Sequence, residues 1–566
     1  MPELFLIGNL RKQNLSRFLD NFILKYELFF VSFFIILYAL RLIVSGFDLQ
    51  SWDEALYAVR AKSIIYFNAF WDQTEYSPDG LYSSTHPPLY IWLTAFAYKI
   101  FGINEISTRL FSFISGLFIL IFIYQLGKKL FSITTSILAI LILVTNPFFI
   151  FWTLQGQLDV LLSLFFILSI YTYLNDNFEI RNKYILVGVL IGLSLMTKLF
   201  VGLILLIAII FFELLNKKFC LKNFSLLILT MALISLPWHI SMIIKHSNFD
   251  LLFFFRQAQI YERTFYGIEN NAKELGILFY FNQLIVYTPV TFIPFLFYLY
   301  KLKTNIFNNF LVFFVIIYFL IISIISTKLP VYILPILPLI IFIAIHSIID
   351  LFIEIKKNYI IFSIFSLMNI LFIWSLNSDF RNEIKFLLNH FSIDNIYYII
   401  INYKELLILL IVIEILIFIL YKLFSNNTPI ILLSIIIFAY VCNYFYILSF
   451  NPYQELNSGI NNVIQIIKKY PKKNYISIGH GINPQLSFYT DGIDIGWHKN
   501  NNFVRLDPNE GYYKIKNKLK SMINKDPYII YEKSDYYLAN KNSSLFIPEE
   551  YYKIIETKEY ILYSTK

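Results

Sequence analysis

Residues 184–215 read YILVGVLIGLSLMTKLFVGLILLIAIIFFELL, one apolar run broken in its middle only by Thr197-Lys198. The run is too long for a single crossing of about 30 Å of hydrocarbon, which takes roughly 17 to 25 helical residues. A lysine left in mid-bilayer is costly, so the run divides at Thr197-Lys198 into spans over 184–197 and 199–215, and Lys198 comes to a membrane face. That division sets the parity of every helix before and after it.

Outward from this point, apolar stretches of spanning length fall near 28–46, 106–126, 133–151, 158–174, 224–243, 276–299, 308–325, 331–350, 358–375, 404–423 and 428–449. Together they predict about thirteen transmembrane helices. Composition agrees: the 566 residues are 58% hydrophobic, 19% aromatic and 15% charged, a balance that excludes an ordinary soluble protein. The fold class expected is a polytopic α-helical membrane protein with a C-terminal soluble α/β domain. Residues 1–450 form the membrane part and 451–566 the soluble domain. After Phe450 the chain turns to lysine, asparagine, tyrosine and proline. Strand-like content recurs at Tyr475-Ile476-Ser477-Ile478 and Pro527-Tyr528-Ile529-Ile530-Tyr531, and helical periodicity covers 455–470.

Short loops set the orientation. Lys128 and Lys129, Arg181 and Lys183, Lys217, Lys218 and Lys222, Lys301 and Lys303, Lys356 and Lys357, and Lys422 share one side with Arg11, Lys12, Arg17 and Lys25. By the positive-inside rule that side is cytoplasmic. The expected location is the inner (plasma) membrane, with the 47–105 loop, Asp159, Lys198, the 244–275 loop, the Ser326–Pro330 turn and the C-terminal tail all on the periplasmic or outer side. The net charge of +9 is partly the cytoplasmic lysine excess facing membrane lipids, and no basic module points to nucleic acid. Of the two cysteines, Cys220 falls in a cytoplasmic turn and Cys442 in the last span, so the soluble domain folds without disulfides. The amino-terminal apolar run reads as an uncleaved anchor.

Between the first two spans, residues 54–67 show helical spacing and 88–101 are apolar but short, which suits helices lying along the membrane face. Asp53 and Glu54 open the first of these. They suit a helix start, where acidic groups face the helix dipole, and equally a carboxylate that orients or deprotonates an acceptor. His86-Pro87-Pro88 is a stiff helix entry that also offers an imidazole to an anion. Asp159 at the start of its span reads either as a cap or as a second site carboxylate. Lys198, Arg256 and Arg263 read either as interfacial anchors or as phosphate contacts, arginine's fork suiting phosphate best. Lys328 and Tyr332 open another span on the same face and read either as a helix start with an interfacial-belt aromatic or as phosphate contacts.

No phosphate-binding loop, dinucleotide fingerprint, His-Glu-x-x-His, Gly-x-Ser-x-Gly or Cys-x-x-Cys occurs. An outer-face enzyme without nucleotides needs a donor already activated in the membrane, and a polyprenyl-phosphate sugar meets that need. No cofactor is expected and no metal ligands are assigned, with a divalent cation left open.

The segments Trp52-Asp53-Glu54-Ala55-Leu56-Tyr57-Ala58, His86-Pro87-Pro88-Leu89-Tyr90-Ile91-Trp92, Phe101-Gly102, Arg109-Leu110, Gln157-Leu158-Asp159, Thr197-Lys198, Pro237-Trp238-His239, Glu262-Arg263 and Lys328-Leu329-Pro330-Val331-Tyr332-Ile333-Leu334-Pro335 follow one another in this order. The ordered set resembles the GT-C membrane glycosyltransferases, especially the lipid A aminoarabinose transferase and protein O-mannosyltransferase-like family. The resemblance implies a GT-C fold and inverting transfer of a sugar from a polyprenyl-phosphate donor to a lipid, glycan or protein acceptor. It implies that Asp53 engages the acceptor, Asp159 is the second acidic residue, and Arg263 and Tyr332 hold the carrier phosphate. His86 stands where the aminoarabinose enzymes have a lysine, Thr85 where they have a glutamate, and Leu56 where they have an arginine. The His-Pro-Pro form is closer to the mannosyltransferase-like branch. The alternative from another class is a transporter or flippase of a lipid-linked saccharide, which calls for mid-membrane charges and inverted repeats.

Overall fold

A computed structural model describes residues 24–43, 47–50, 53–77, 80–257, 261–266, 276–354, 462–463, 465–466, 475–478, 488–489, 503–506, 528–532, 552–556 and 560–564. The helices are α1 (Glu27–Ile43), α2 (Asp53–Phe67), α3 (Leu81–Ser84), α4 (Leu89–Phe101), α5 (Glu105–Leu130), α6 (Ile133–Thr145), α7 (Pro147–Thr153), α8 (Leu158–Tyr173), α9 (Ile180–Leu195), α10 (Leu203–Leu215), α11 (Leu221–Ser247), α12 (Leu251–Gln257), α13 (Phe279–Tyr287), α14 (Pro289–Leu302), α15 (Phe310–Ile324) and α16 (Leu337–Glu354).

Among the described residues, α5 and α11 are each long and apolar enough to cross a membrane, and α6 with α7 makes a third crossing if the bent pair is one span. The other helices at expected spans are shorter. The last three expected spans, 358–375, 404–423 and 428–449, lie outside the described residues.

Where the sequence suggests one continuous helix, proline chemistry breaks it twice. The 133–151 span bends by 68° between α6 and α7. Asn146 takes an extended conformation and accepts the Phe149 amide, while Pro147, which has no N–H to leave unpaired, starts the new helix. The 276–299 span is likewise divided, at Thr288-Pro289. The expected 184–215 division is present: α9 stops at Leu195, and a 3-10 turn over Phe200–Gly202 leads into α10. Gly202 permits it, since a Cβ there would stand 2.9 Å from the Leu195 amide nitrogen.

The bundle is centred on α6, α8 and α16, whose residues are buried almost all round, as expected for helices without a polar face. Tight packing and internal hydrogen bonds, not exclusion from water, hold such helices together in lipid. The two stretches expected to lie along the membrane face are helical, as α2 and α4, and α2 is buried in protein over most of its length. In the C-terminal part, β1 (Tyr475–Ile478), β2 (Phe503–Leu506), β3 (Tyr528–Glu532), β4 (Tyr552–Glu556) and β5 (Tyr560–Ser564) make a mixed sheet of order β2-β1-β3-β5-β4. β1 runs parallel to β2 and β3, and β5 is antiparallel to β3 and β4. Two of these strands fall where β-branched and aromatic residues predict them. The expected 455–470 helix is described only at 462–463 and 465–466, which are helical.

Candidate functional site

The breaks in the helical pattern converge. The Leu89 amide at the start of α4 donates to the Met196 carbonyl at 3.0 Å, which joins the His86-Pro87-Pro88 turn to the end of α9 beside Lys198. The Ser326 and Thr327 amides donate to the Thr264 and Arg263 carbonyls at 3.0 and 2.9 Å, fixing the Glu262–Tyr266 turn against the entry to the α16 region. These backbone bonds bring separate stretches of chain around one cavity of about 400 Å³.

Asp53, His86, Asp159, Lys198, Arg263 and Tyr332 all line it. Lys198 Nζ donates to Asp159 Oδ1 at 2.7 Å and lies 4.7 Å from the centre of the Tyr332 ring. The lysine head is therefore not reaching for lipid headgroups: it is held between a carboxylate and an aromatic face. Asp53 is exposed at the cavity wall. Desolvation by the surrounding protein raises its carboxyl above the ordinary range, Arg263 and Lys198 pull it back, and Asp159 pushes it up. Most of the rest of the wall is apolar, with Phe200, Leu203, Ile204, Ile207, Ile321, Ile322 and Ile325 among its residues and Thr85 and Thr264 the small polar exceptions. Phe200 and Ile207 are exposed.

Three of the sequence candidates stand elsewhere. Glu54, adjacent to Asp53 in the chain, points away into a buried cluster. Its Oε1 accepts from Arg109 Nε at 2.7 Å and the Gly156 amide at 2.6 Å, and its Oε2 from Arg109 Nη2 at 3.0 Å and the Gln50 amide at 2.6 Å. Both side chains are fully buried. Arg109 also donates to the Phe47 and Asp48 carbonyls, at 2.8 and 3.0 Å. Gly156 is closely packed at this point: a Cβ there would stand 3.1 Å from Glu54 Cγ and 3.0 Å from Thr108 Cγ2. Lys328 Nζ donates to the Ile322, Ser323 and Ile325 carbonyls. All three ammonium protons are thus spent on the C-terminus of α15, a favourable place for a cation. Arg256 is exposed on α12 and does not line the cavity.

Two residues that carry the site have no assigned role in the sequence reading. Arg109 lies a turn into the apolar α5, and an arginine in that position is the available signal for a buried counter-ion. Arg60 is buried two turns after Asp53 on α2, and its Nη2 donates to the His86 carbonyl at 2.9 Å and Gln73 Oε1 at 3.1 Å. Only its seven-residue spacing from Asp53, which puts both on one helix face, hints at this. Further along, Asp72 accepts from Lys245 at 2.6 Å and His246 at 2.9 Å, tying the 68–77 segment to the end of α11. Among the described residues no group of three or more His, Cys, Asp or Glu is placed to hold a metal ion.

Residues 85–240 match the family described as dolichyl-phosphate-mannose-protein mannosyltransferase. Among solved structures, the chain is similar to ArnT from Cupriavidus metallidurans bound to undecaprenyl phosphate, with a TM-score of 0.65 and 16% identity over 95% of this chain and 98% of that one. The apo state of the same protein gives a TM-score of 0.64. An uncharacterized protein of Aquifex aeolicus (strain VF5) is 29% identical over 297 residues, 50% of this chain and 57% of its own. A second from that organism is 30% identical over 218 residues, 38% of this chain and 48% of its own. The chain thus spans about half the length of these curated relatives. The GT-C resemblance read from the ordered motifs is met by the family match and by the shared fold.

Proposed function

We propose that this GT-C-fold membrane protein is a glycosyltransferase that moves a sugar from a polyprenyl-phosphate donor to an extracytoplasmic acceptor. The observation that carries the reading is the meeting of Asp53, Lys198 and Arg263 on one cavity that also has a broad apolar wall of Phe200, Leu203, Ile204, Ile207, Ile321, Ile322 and Ile325. A membrane-borne donor has those two halves: a phosphate that needs cations and a hydrocarbon tail that needs apolar surface.

In the proposed reaction the acceptor oxygen attacks the anomeric carbon from the side opposite the phosphate. The new C–O bond forms as the bond from carbon to phosphate oxygen breaks, and the configuration inverts. The acceptor proton passes to the Asp53 carboxylate. The departing polyprenyl phosphate takes the bonding electron pair, and Lys198, Arg263, His86 and Tyr332 stabilise the charge that builds on it. Asp159 holds the Lys198 ammonium in place. Glu54, Arg256 and Lys328, also candidates in the sequence, take no part in this scheme.

The family match and the undecaprenyl phosphate seen in ArnT support a lipid-linked donor. The sugar, and the choice among lipid, glycan and protein acceptors, belong to the experiment: membranes carrying the chain are incubated with radiolabelled polyprenyl-phosphate sugars, and label is followed into each fraction. Transfer that depends on the chain is expected with at least one donor. Replacing Asp53 by Asn is expected to lower turnover by roughly tenfold or more; unchanged turnover in reconstituted membranes removes Asp53 from the mechanism.

A further inference from the structure

Asp53 is preceded by a segment whose backbone is tied at four successive residues. Arg109 holds the Phe47 and Asp48 carbonyls, the Gln50 amide reaches Glu54, and the Leu49 amide donates to Tyr489 Oη at 2.9 Å. Three of these ties come from Arg109 on α5 and Glu54 on α2. The fourth comes from a residue 440 positions along the chain. The same hydroxyl bonds Glu105 at the start of α5, so Tyr489 joins the entry to α2 with the helix that carries Arg109.

The preceding residue grips the other end of α2. Lys62 is almost fully buried, and its Nζ donates to the Phe488 carbonyl at 2.7 Å and lies 5.9 Å from the Phe488 ring centre. Phe488 is buried too, with its ring 6.5 Å from that of Tyr98 on α4. A lysine is rarely this buried without a specific acceptor, and the acceptor here is a main-chain carbonyl that side-chain variation cannot remove.

We infer that Phe488 and Tyr489 brace α2 at both ends, and that through this brace the C-terminal part of the chain sets the position of Asp53 against the cavity. Tyr489 and Lys62 are positioning residues: neither lines the cavity, and they act through the helix between them. The effect on transfer rests on the reading of Asp53 given above; the brace itself does not.

The test uses the full chain, reconstituted, with Tyr489→Phe, which removes one oxygen, and with Lys62→Met and Lys62→Arg. Expected is a fall in kcat of roughly tenfold for Tyr489→Phe and Lys62→Met, because a small misplacement of a reacting group is costly. KM for the donor stays within about twofold, because donor contacts are untouched, and Lys62→Arg, which keeps a donor, retains most of the rate. Hydrogen exchange supplies the readout that needs no substrate: amides in 47–60 exchange faster in Tyr489→Phe, and those in 110–130 do not. Unchanged exchange in 47–60 overturns the brace even if no donor is ever found. Faster exchange with kcat intact, or losses shared equally by donor KM, overturns the link to Asp53. Should Tyr489→Phe fail to fold, the Lys62→Met and Lys62→Arg pair decides alone. If the unaltered chain transfers no sugar yet exchange responds as stated, the glycosyltransferase reading fails and the brace stands.

Discussion

At the scale of single residues, Asp53 is where stability and activity oppose each other. Desolvation at the cavity wall raises its carboxyl above the ordinary value of about 3.9, with Arg263 and Lys198 offsetting part of the rise. An acid whose pKa is higher folded than unfolded binds its proton more tightly in the native state. Its contribution to stability therefore falls as pH rises from the ordinary value through the raised one, and the ionised group is a net cost at neutral pH. Asp53→Asn is accordingly expected to lower turnover while leaving the thermal midpoint at pH 7 unchanged or slightly raised, since solvent screens an exposed carboxylate; a clearly lowered midpoint would contradict the desolvation. For the same reason the acid limb of the rate profile is expected above the usual carboxylate range. Lys198→Met, which removes a cation that favours the ionised form, should move that limb to higher pH. Arg263 carries a separate prediction: its loss to alanine is expected to weaken binding of undecaprenyl phosphate by roughly tenfold or more, the worth of a charged hydrogen bond, as read by titration in detergent.

At the scale of elements, the Glu54–Arg109 pair decides how α2 meets α5 and the loop before α8. Four hydrogen bonds saturate the carboxylate and unite Gln50, Arg109 and Gly156. Asp53 one residue away on α2 and Asp159 three residues past Gly156 are held on a common frame. Removing one member of a buried ion pair leaves the other charged and unpaired, at a cost of about 3–5 kcal/mol. Arg109→Met is expected to destabilise by that order in denaturation measured in detergent, while Arg256→Ala, on exposed α12, should change neither stability nor turnover measurably. Glu54 shows why adjacency in sequence misleads at a helix start: successive helical residues are about 100° apart around the axis, so two neighbouring carboxylates face different surroundings. The Asp-Glu pair is legible as chemistry in the sequence, but its division into one cavity group and one buried clamp is not.

At the scale of the whole molecule, the apolar periodicity located most of the described helices but missed the divisions of the 133–151 and 276–299 spans, and the lysine at 198 marked the division between α9 and α10 correctly. These features are local, because a charged group in an apolar run and a proline without an N–H act on their own stretch of chain. The bend before Pro147 and the division at Thr288-Pro289 were not read from the sequence, because hydropathy alone runs straight through them. By itself the sequence determined a helical membrane protein with acidic and cationic groups at the breaks between apolar runs. Only the tertiary structure decided which of those groups share a cavity, that Lys328 caps a helix, that Arg109 answers Glu54, and that Tyr489 reaches back to Leu49. The physical reason is range: helix formation and membrane insertion depend on neighbours within a few turns, whereas a pairing between side chains hundreds of residues apart exists only once the packed bundle sets their separation.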